Sequence, residues 1–311
     1  VLGIPLNLND LERVTGGNMM VRPEFPYSPG MEVMGRVEKC GKGCESWQGK
    51  HVVAMPAGAH GGYAEYAICP PVSAFEVPKE IPLPDAAALY FPYHLAWLGL
   101  IERAKVQAGE TVLIHAAAGS VGSAAIQLAV NAGARVIATA GADEKLDWCR
   151  KLGADIAVNY NRDDFVAVVK EATGKKGVDV VFDTVGEAVM EQSLGAIAYN
   201  GRYIMMGFSS DKTVADEKFL VPRRLALSNI SLCTVMLAYA DEAMSDFLKD
   251  GMGWNFVPAA LGEKINSIIV SLVQNGEIKP AIGRVVGFED IPRTLQDLAD
   301  RKTVGKVIAI P

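Results

Sequence analysis

The chain has 311 residues, which at about 150 residues per domain suggests two domains. Half of the residues are hydrophobic, 21% are charged and 31 are glycine, a globular composition that excludes a disordered chain. The net charge of -6 argues against a nucleic-acid partner and against a polybasic membrane surface. No apolar run reaches the roughly 18 residues of a membrane span, so no membrane partner is expected.

The cysteines indicate the redox compartment. Their odd number, five, and the lack of a signal peptide predict free thiols and a cytoplasmic location. Cys40 and Cys44 are close in sequence, but no second pair of ligands stands at a matching spacing. No metal site is therefore expected at this pair.

The first 90 residues are predicted to form a mostly β domain. Short β-like runs stand at 33–38, 51–55 and 63–69, and turns rich in glycine and proline separate them. Residues 82–100 are then predicted to lead from the β domain into helical structure.

Strands and helices alternate between residues 111 and 235. Strands are predicted at 111–117, 135–140, 156–160, 178–185, 202–208 and 230–235, and helices at 121–132, 143–152, 163–173 and 187–198. Continuous runs of Val, Ile and Ala are typical of a parallel sheet that helices cover on both faces. The pattern predicts an α/β, doubly wound dinucleotide-binding (Rossmann) fold.

The C-terminal part returns to mixed structure, with helices at 265–275 and 291–300 and a strand at 304–310. The nucleotide-binding domain, residues 93–235, is therefore expected to be inserted into a second domain. That second domain would consist of residues 1–92 and 236–311.

A glycine turn joins the first Rossmann strand to its helix. Gly119 and Gly122 fit the last two glycines of the G-x-G-x-x-G motif, and Ala117 stands at the first. Small residues there let the backbone approach a pyrophosphate at the helix N-terminus. The alternative is a tight turn that binds no ligand. The predicted cofactor contacts are Ala117, Gly119, Ser120, Val121 and Gly122.

The residues at the end of the second Rossmann strand indicate whether NADPH or NADH binds. NAD enzymes usually place an acid there to hold the ribose hydroxyls, whereas this strand ends at Thr139 and two small residues. Thr139 does not repel a 2′-phosphate, and Lys145 can supply positive charge in the following turn. Asp143 and Glu144 act against this interpretation. The missing acid favours NADPH over NADH.

Several segments together resemble one family. They are 26–37, 61–66, 115–122, 180–186, 229–231 and 303–307. On these segments the chain resembles the zinc-free medium-chain dehydrogenases/reductases of the quinone oxidoreductase (zeta-crystallin-like) group. The resemblance implies a GroES-like, mostly β domain on the substrate side beside the Rossmann domain. It also implies NADPH-dependent reduction of a quinone or an activated C=C bond.

The resemblance also implies roles for particular residues. Lys145 and Tyr160 match a lysine and a tyrosine that hold the adenosine 2′-phosphate in the family. Asn7 matches an asparagine near the nicotinamide ribose, and Gly207 and Phe208 begin a loop similar to the one that passes the nicotinamide.

The chain also departs from the family. Zinc-dependent relatives carry Gly-His-Glu where this chain has Gly30-Met31-Glu32, and the four-cysteine lobe is absent, so zinc independence is expected. Two tyrosines often near the quinone site fall, by spacing, at Glu12 and Asn18, and Leu95 replaces a threonine of the crossing helix. The chain also lacks the family's usual first residues, so we expect either a missing N-terminus or an abbreviated β domain.

The candidate catalytic side chains are Asn7 and Tyr93. Asn7 is predicted to orient the ribose and the substrate oxygen; the alternative is an asparagine that forms a turn. Tyr93, or His94 beside it, could donate the proton that follows hydride transfer; the alternative is core packing. His115 is expected to be structural.

Three functions remain open from the sequence. The leading one is an NADPH-dependent quinone or enone oxidoreductase acting on a small electrophilic molecule. The second is an enoyl-thioester reductase, free-standing or part of a polyketide synthase, and the third is a non-enzymatic, crystallin-like NADPH-binding protein. The resemblance also implies a homodimer, formed through the sheet edge at residues 229–235. An exposed sheet edge needs covering, which agrees with this expectation.

Overall fold

The protein is described from a computed structural model, and the residues described are 1–16, 21–207 and 222–311. The chain divides into two compact units. The first unit combines Val1–His94 with Leu237–Pro311, and the second is Leu95–Met236. Each unit is considered separately below.

The elements of both units are numbered in chain order. The strands are β1 (Ile4–Leu6), β2 (Val33–Arg36), β3 (His51–Ala54), β4 (Ala74–Glu76), β5 (Thr111–Ile114), β6 (Arg135–Ala140), β7 (Ile156–Asn159), β8 (Val178–Asp183), β9 (Ile197–Met205), β10 (Ser231–Thr234), β11 (Tyr239–Ala240), β12 (Val257–Pro258), β13 (Ile282–Gly287) and β14 (Lys306–Ile310). The helices are α1 (Leu8–Val14), α2 (Phe91–Trp97), α3 (Ser120–Asn131), α4 (Asp143–Lys151), α5 (Phe165–Ala172), α6 (Glu187–Ala196), α7 (Pro222–Ser228), α8 (Glu242–Met252), α9 (Ala259–Gln274) and α10 (Ile291–Ala299). A π-helical segment, Leu98–Arg103, follows α2.

The second unit is built on a six-stranded parallel sheet of order β10-β9-β8-β5-β6-β7. This strand order is that of the doubly wound dinucleotide-binding fold. Its central strand β5 is fully buried over Val112, Leu113 and Ile114, because helices cover both faces of such a sheet. The α/β Rossmann fold predicted from the sequence is confirmed.

The first unit contains two three-stranded sheets. Strands β2, β3 and β4 form an antiparallel sheet, and β14 pairs with β1 on one side and with β13 on the other. The β1–β14 pairing joins Ile4 to Ala309, so the two ends of the chain share one sheet. The buried side chains of β1 and β14, with Ile291 of α10, form a hydrophobic core. The GroES-like domain that the sequence predicted is confirmed, and the unit also contains helices α1, α8, α9 and α10.

One predicted strand is wrong. Residues 63–65 form bends and residues 66–69 have no regular secondary structure, so no strand forms here. Their backbone makes only isolated pairings, such as Tyr63 N–H to the Pro29 carbonyl (2.9 Å) and Ala57 N–H to the Ile68 carbonyl (2.8 Å). Tyr66 and Ile68 remain exposed, so their apolar pattern is not matched by a buried sheet face.

Other predicted boundaries shift for local reasons. The strand predicted at 111–117 ends at Ile114, because Ala116 adopts a left-handed φ of 47° that a strand cannot contain. The strand predicted at 202–208 begins earlier, and β9 runs Ile197–Met205. Over the described residues, no helix is long and apolar enough to cross a bilayer.

Candidate functional site

The glycine turn after β5 forms a cradle in the second unit. Gly119 caps α3 with an extended backbone, and the first helical N–H groups, at Ser120 and Val121, have no carbonyl partner inside the helix. A Cβ on Gly122 would lie 2.5 Å from the Ala116 carbonyl oxygen, so only glycine fits this position. A close-packed backbone that ends in free helical N–H groups suits a pyrophosphate.

His115 lies directly under this cradle. Its Nδ1 is 3.0 Å from Thr139 Oγ1 and its Nε2 is 2.8 Å from Ser193 Oγ. The Ser193 hydroxyl donates to the Val189 carbonyl, so Nε2 carries the proton and Nδ1 accepts one from Thr139. Burial lowers the pKa of His115 to about 3, so the ring stays neutral. His115 therefore ties β5, β6 and α6 together.

Thr139 belongs to this structural network. The residue is 1% exposed, its hydroxyl is bonded to His115, and its carbonyl accepts the Ala117 N–H at 3.1 Å. Ala117 is itself fully buried. Thr139 and Ala117 thus support the cradle through their backbone hydrogen bond. The Thr139 hydroxyl is already hydrogen-bonded to His115 beneath the cradle.

The end of β6 meets the residues that follow β7. A Cβ on Gly141 would lie 2.6 Å from the Tyr160 hydroxyl, and Asn161 Nδ2 donates to the Gly141 carbonyl at 2.8 Å. Tyr160 is 45% exposed. Lys145 lies on the first turns of α4, directly after this strand end. The structure thus brings Lys145 and Tyr160 to the same edge of the sheet.

A further turn lies at the end of β8. Asp183 Oδ1 accepts the N–H groups of Val185 (2.7 Å) and Gly186 (3.0 Å), and Oδ2 accepts the Tyr203 hydroxyl (2.7 Å). Burial raises the pKa of Asp183. Gly207 donates its N–H to the Asp183 carbonyl, and a Cβ there would collide with the backbone of Thr184. The sequence analysis did not identify Asp183 as a site residue, although Asp183 stands in the segment 180–186 that resembles the family. Phe208 lies outside the described residues.

In the first unit Asn7 lies in a buried polar triad with Glu32 and Lys306. Lys306 Nζ donates to Asn7 Oδ1 (2.7 Å) and to Glu32 Oε2 (2.8 Å). Asn7 Nδ2 donates to Glu32 Oε2 (3.0 Å) and to the Pro5 carbonyl (3.2 Å). Both protons of the Asn7 amide are therefore committed, and one lone pair of Oδ1 is left. The sequence analysis identified Asn7 and noted Glu32, but it missed Lys306.

Tyr93 and His94 are also buried in the first unit. The Tyr93 hydroxyl donates to the Lys279 carbonyl at 3.2 Å. His94 Nδ1 is 2.8 Å from the Tyr239 hydroxyl, and burial lowers the pKa of His94 to about 3. These contacts support the packing role of the pair. Proton donation by Tyr93 stays a prediction that requires its hydroxyl to leave Lys279.

Two family models match the chain. The alcohol dehydrogenase GroES-like domain matches residues 1–79, and the zinc-binding dehydrogenase domain matches residues 120–250. The bovine protein named quinone oxidoreductase-like protein 2 is 34% identical over 295 residues, which are 94% of this chain and 78% of that protein. The chain belongs to the quinone oxidoreductase group of the medium-chain dehydrogenases/reductases.

Several solved structures are similar to this chain over its whole length. A mycobacterial protein complexed with NADPH superposes with a TM-score of 0.83 at 28% identity, over 100% of this chain and 89% of that one. The quinone oxidoreductase of Thermus thermophilus, also solved with NADPH, gives a TM-score of 0.77 at 30% identity, over 100% and 90%. The JamJ enoyl reductase gives 0.80 at 27% identity, over 100% and 89%.

The zinc that one family model implies does not fit the residues present. Met31 occupies the position of the usual imidazole ligand, and the neighbouring Glu32 carboxylate is bonded to Lys306, Asn7 and the Phe91 N–H. Within residues 1–16, 21–207 and 222–311, no group of three His, Cys, Asp or Glu side chains could hold a metal ion. Glu12 lies on α1, whereas Asn18, the second position of the tyrosine pair, lies outside the described residues.

Proposed function

We propose that this protein is an NADPH-dependent oxidoreductase that transfers hydride to a quinone or an activated C=C bond. The observation that carries the proposal is the backbone cradle at Gly119 and Gly122, at the end of a strand in a Rossmann sheet. Membership of the quinone oxidoreductase family and the relatives solved with NADPH support the choice of cofactor.

The chain's own residues bind and orient the cofactor, and NADPH supplies the hydride. The N–H groups at the start of α3 would hold the pyrophosphate. Lys145 and Tyr160, which lie at the same sheet edge, would hold the adenosine 2′-phosphate. Gly207 would let the backbone pass close to the nicotinamide.

The hydrogen bonds of Asn7 limit what this residue can do. Its Nδ2 protons are committed, so Asn7 can accept a hydrogen bond at Oδ1 but has none to donate. A ribose hydroxyl, which can donate, suits that atom; the oxygen of an enone or quinone does not. We therefore assign Asn7 to the ribose. Unchanged kcat/KM in a folded Asn7→Ala variant on every accepted substrate would remove Asn7 from the site.

Catalysis without metal is part of the same proposal. Glu32 already has three partners, and Met31 offers no imidazole. We expect full activity after dialysis against a strong chelator. Activity lost on chelation and restored by zinc would contradict this part of the proposal.

The experiment that tests the function is a comparison of NADPH and NADH consumption against a panel of enones, quinones and enoyl thioesters. We expect NADPH-dependent turnover of an enone or quinone. Turnover of a crotonyl thioester alone would instead favour an enoyl-thioester reductase, a second candidate that the similarity to the JamJ enoyl reductase supports. Tight NADPH binding with no turnover across the panel would favour the non-enzymatic, crystallin-like function.

The proposed assembly is a homodimer in the cytoplasm. Among the described residues, strand β10 is an edge of the six-stranded sheet, and its Ser231, Leu232 and Thr234 are exposed. Pairing with a second copy would cover this edge. All five cysteines are free thiols, which supports a reducing compartment. We propose residues 1–92 with 236–311 as the substrate domain and 93–235 as the nucleotide domain.

A further inference from the structure

The segment after β7 folds back onto the end of β6. Ala140 and Asn159 are register partners at the carboxyl ends of these two parallel strands. Beyond them, Tyr160 N–H donates to the Ala140 carbonyl (3.2 Å) and Asn161 Nδ2 to the Gly141 carbonyl (2.8 Å). Residues 159–162 therefore lie over the place where a Rossmann fold receives the adenosine ribose.

This place contains an acid that would oppose NADPH. Asp143, the first residue of α4, is the first carboxylate after β6. A hydrogen bond from Asn159 Nδ2 (3.1 Å) and the nearby Arg162 guanidinium lower the pKa of Asp143, so the carboxylate is ionised at neutral pH. An ionised carboxylate at this edge favours the ribose hydroxyls of NADH and repels a 2′-phosphate.

Arg162 partly compensates this charge. Its Nη1 lies 3.4 Å from Asp143 Oδ2, and its Nε lies 3.3 Å from Asp163 Oδ1. Both pairs are solvent-exposed, and exposed ion pairs are weak. A phosphate offers the guanidinium a stronger, bidentate partner, so Arg162 can turn toward it with little loss of stability.

We propose that Arg162 is a coenzyme-specificity residue, which offsets Asp143 and contributes positive charge to the 2′-phosphate of NADPH. This inference rests on the proposed NADPH dependence. Residues 143–145 with 162 and 163 carry three carboxylates and two cations, so losing Arg162 changes their formal charge from -1 to -2. Lys145 alone then faces three acids.

Direct binding of two fragments tests the proposal without turnover. Isothermal titration calorimetry with adenosine 2′,5′-bisphosphate and with 5′-AMP would be compared for the wild-type protein, Arg162→Gln, Asp143→Asn and the double variant. We expect Arg162→Gln to weaken the bisphosphate about tenfold and to leave 5′-AMP within about twofold, as for loss of one charge-assisted contact. The double variant should recover part of that loss, because the uncovered carboxylate is gone.

The matched control is Arg135→Gln. Arg135 begins β6, at the opposite end of that strand from Ala140, and its guanidinium donates to the Ala172 carbonyl at 2.8 Å. We expect this control to keep the wild-type ratio of the two affinities. Steady-state KM values for NADPH and NADH should follow the same pattern, with kcat nearly unchanged. Thermal unfolding would establish that each variant is folded.

The outcomes separate the two proposals. If the wild-type protein binds the bisphosphate no better than 5′-AMP, the NADPH dependence itself is wrong. If the wild-type protein discriminates and Arg162→Gln discriminates equally well, the role of Arg162 is overturned and NADPH dependence stands. An equal loss in Arg135→Gln would show a general effect of surface charge and would also overturn the role of Arg162.

Discussion

Lys306 places a positive charge in the interior of the first unit. The side chain is 2% exposed, and its Nζ contacts Glu32, which is fully buried, and Asn7. The Phe91 ring lies 5.8 Å from the same ammonium group. Such a triad is tolerated because every charge has a partner, and removing one partner leaves the other buried and uncompensated.

Lys306→Met should therefore destabilise the protein strongly. We expect a loss of about 3–5 kcal/mol in the free energy of unfolding, because the Glu32 carboxylate would be left without its cation. Denaturant unfolding measures the loss. Lys302→Met is the control, since Lys302 pairs with Asp300 at 2.7 Å but is 64% exposed, and little change is expected. Equal stability of both variants would contradict the importance of the triad.

The strand–turn–helix unit of β5 and α3 was predicted well because its signals are local. Continuous apolar residues mark the strand, and Gly119 and Gly122 mark the turn. Strand β6 has the predicted bounds of 135–140. The strand predicted at 63–69 failed, because alternation of apolar residues indicates a sheet face only where another strand is available to pair.

Gly122→Ala should weaken cofactor binding strongly. The new methyl group would meet the Ala116 carbonyl oxygen at 2.5 Å and the Ala117 Cα at 2.6 Å, so the cradle must shift. We expect NADPH affinity, measured by titration of nicotinamide fluorescence, to fall by at least about a hundredfold, the loss of several phosphate contacts. Gly195→Ala in α6, where a Cβ meets nothing within 4 Å, should leave binding unchanged. Normal affinity in Gly122→Ala would contradict the site.

At the scale of the whole molecule, each unit contains one buried neutral histidine. His94 lies in the first unit and His115 in the second, and burial lowers the pKa of each to about 3. In the unfolded chain each histidine has a pKa of about 6.5, so below that pH the unfolded chain binds protons that the two buried histidines of the folded protein do not bind. Each histidine therefore lowers stability as the pH falls from about 6.5 toward 3. Asp10 acts oppositely. Burial raises the pKa of Asp10 to about 6, so its protonated carboxyl stabilises the folded state at low pH, and this stabilisation is lost as the pH rises from 3.8 through about 6.

Replacing a buried histidine should flatten the pH dependence of stability. Between pH 7.5 and 5.5 we expect the wild-type protein to lose about 1.4 kcal/mol more than His115→Gln, corresponding to one proton over about one pH unit. Urea unfolding at the two pH values measures this difference. A His115→Gln profile parallel to the wild-type profile would contradict the neutral state of His115.

The proposed dimer makes its own prediction. Leu232→Lys places a charge on the exposed edge strand β10, and it should shift the protein from dimer to monomer because charged side chains oppose edge-to-edge pairing. Light scattering after gel filtration would measure the mass. A wild-type protein that is monomeric at every concentration would refute the dimer.

The sequence by itself determined the α/β class, the Rossmann strands, the cradle and the family, because those signals depend on neighbouring residues and on their period. Only the tertiary structure revealed the triad, in which Asn7 and Lys306 are 299 positions apart, and the pairing of β1 with β14. It likewise brought Arg162 to Asp143 from the end of the next strand. A buried charge or amide needs hydrogen-bond partners, and the tertiary fold determines which residues lie close enough to provide them. A sequence pattern over neighbouring residues cannot identify a partner that comes from the other end of the chain.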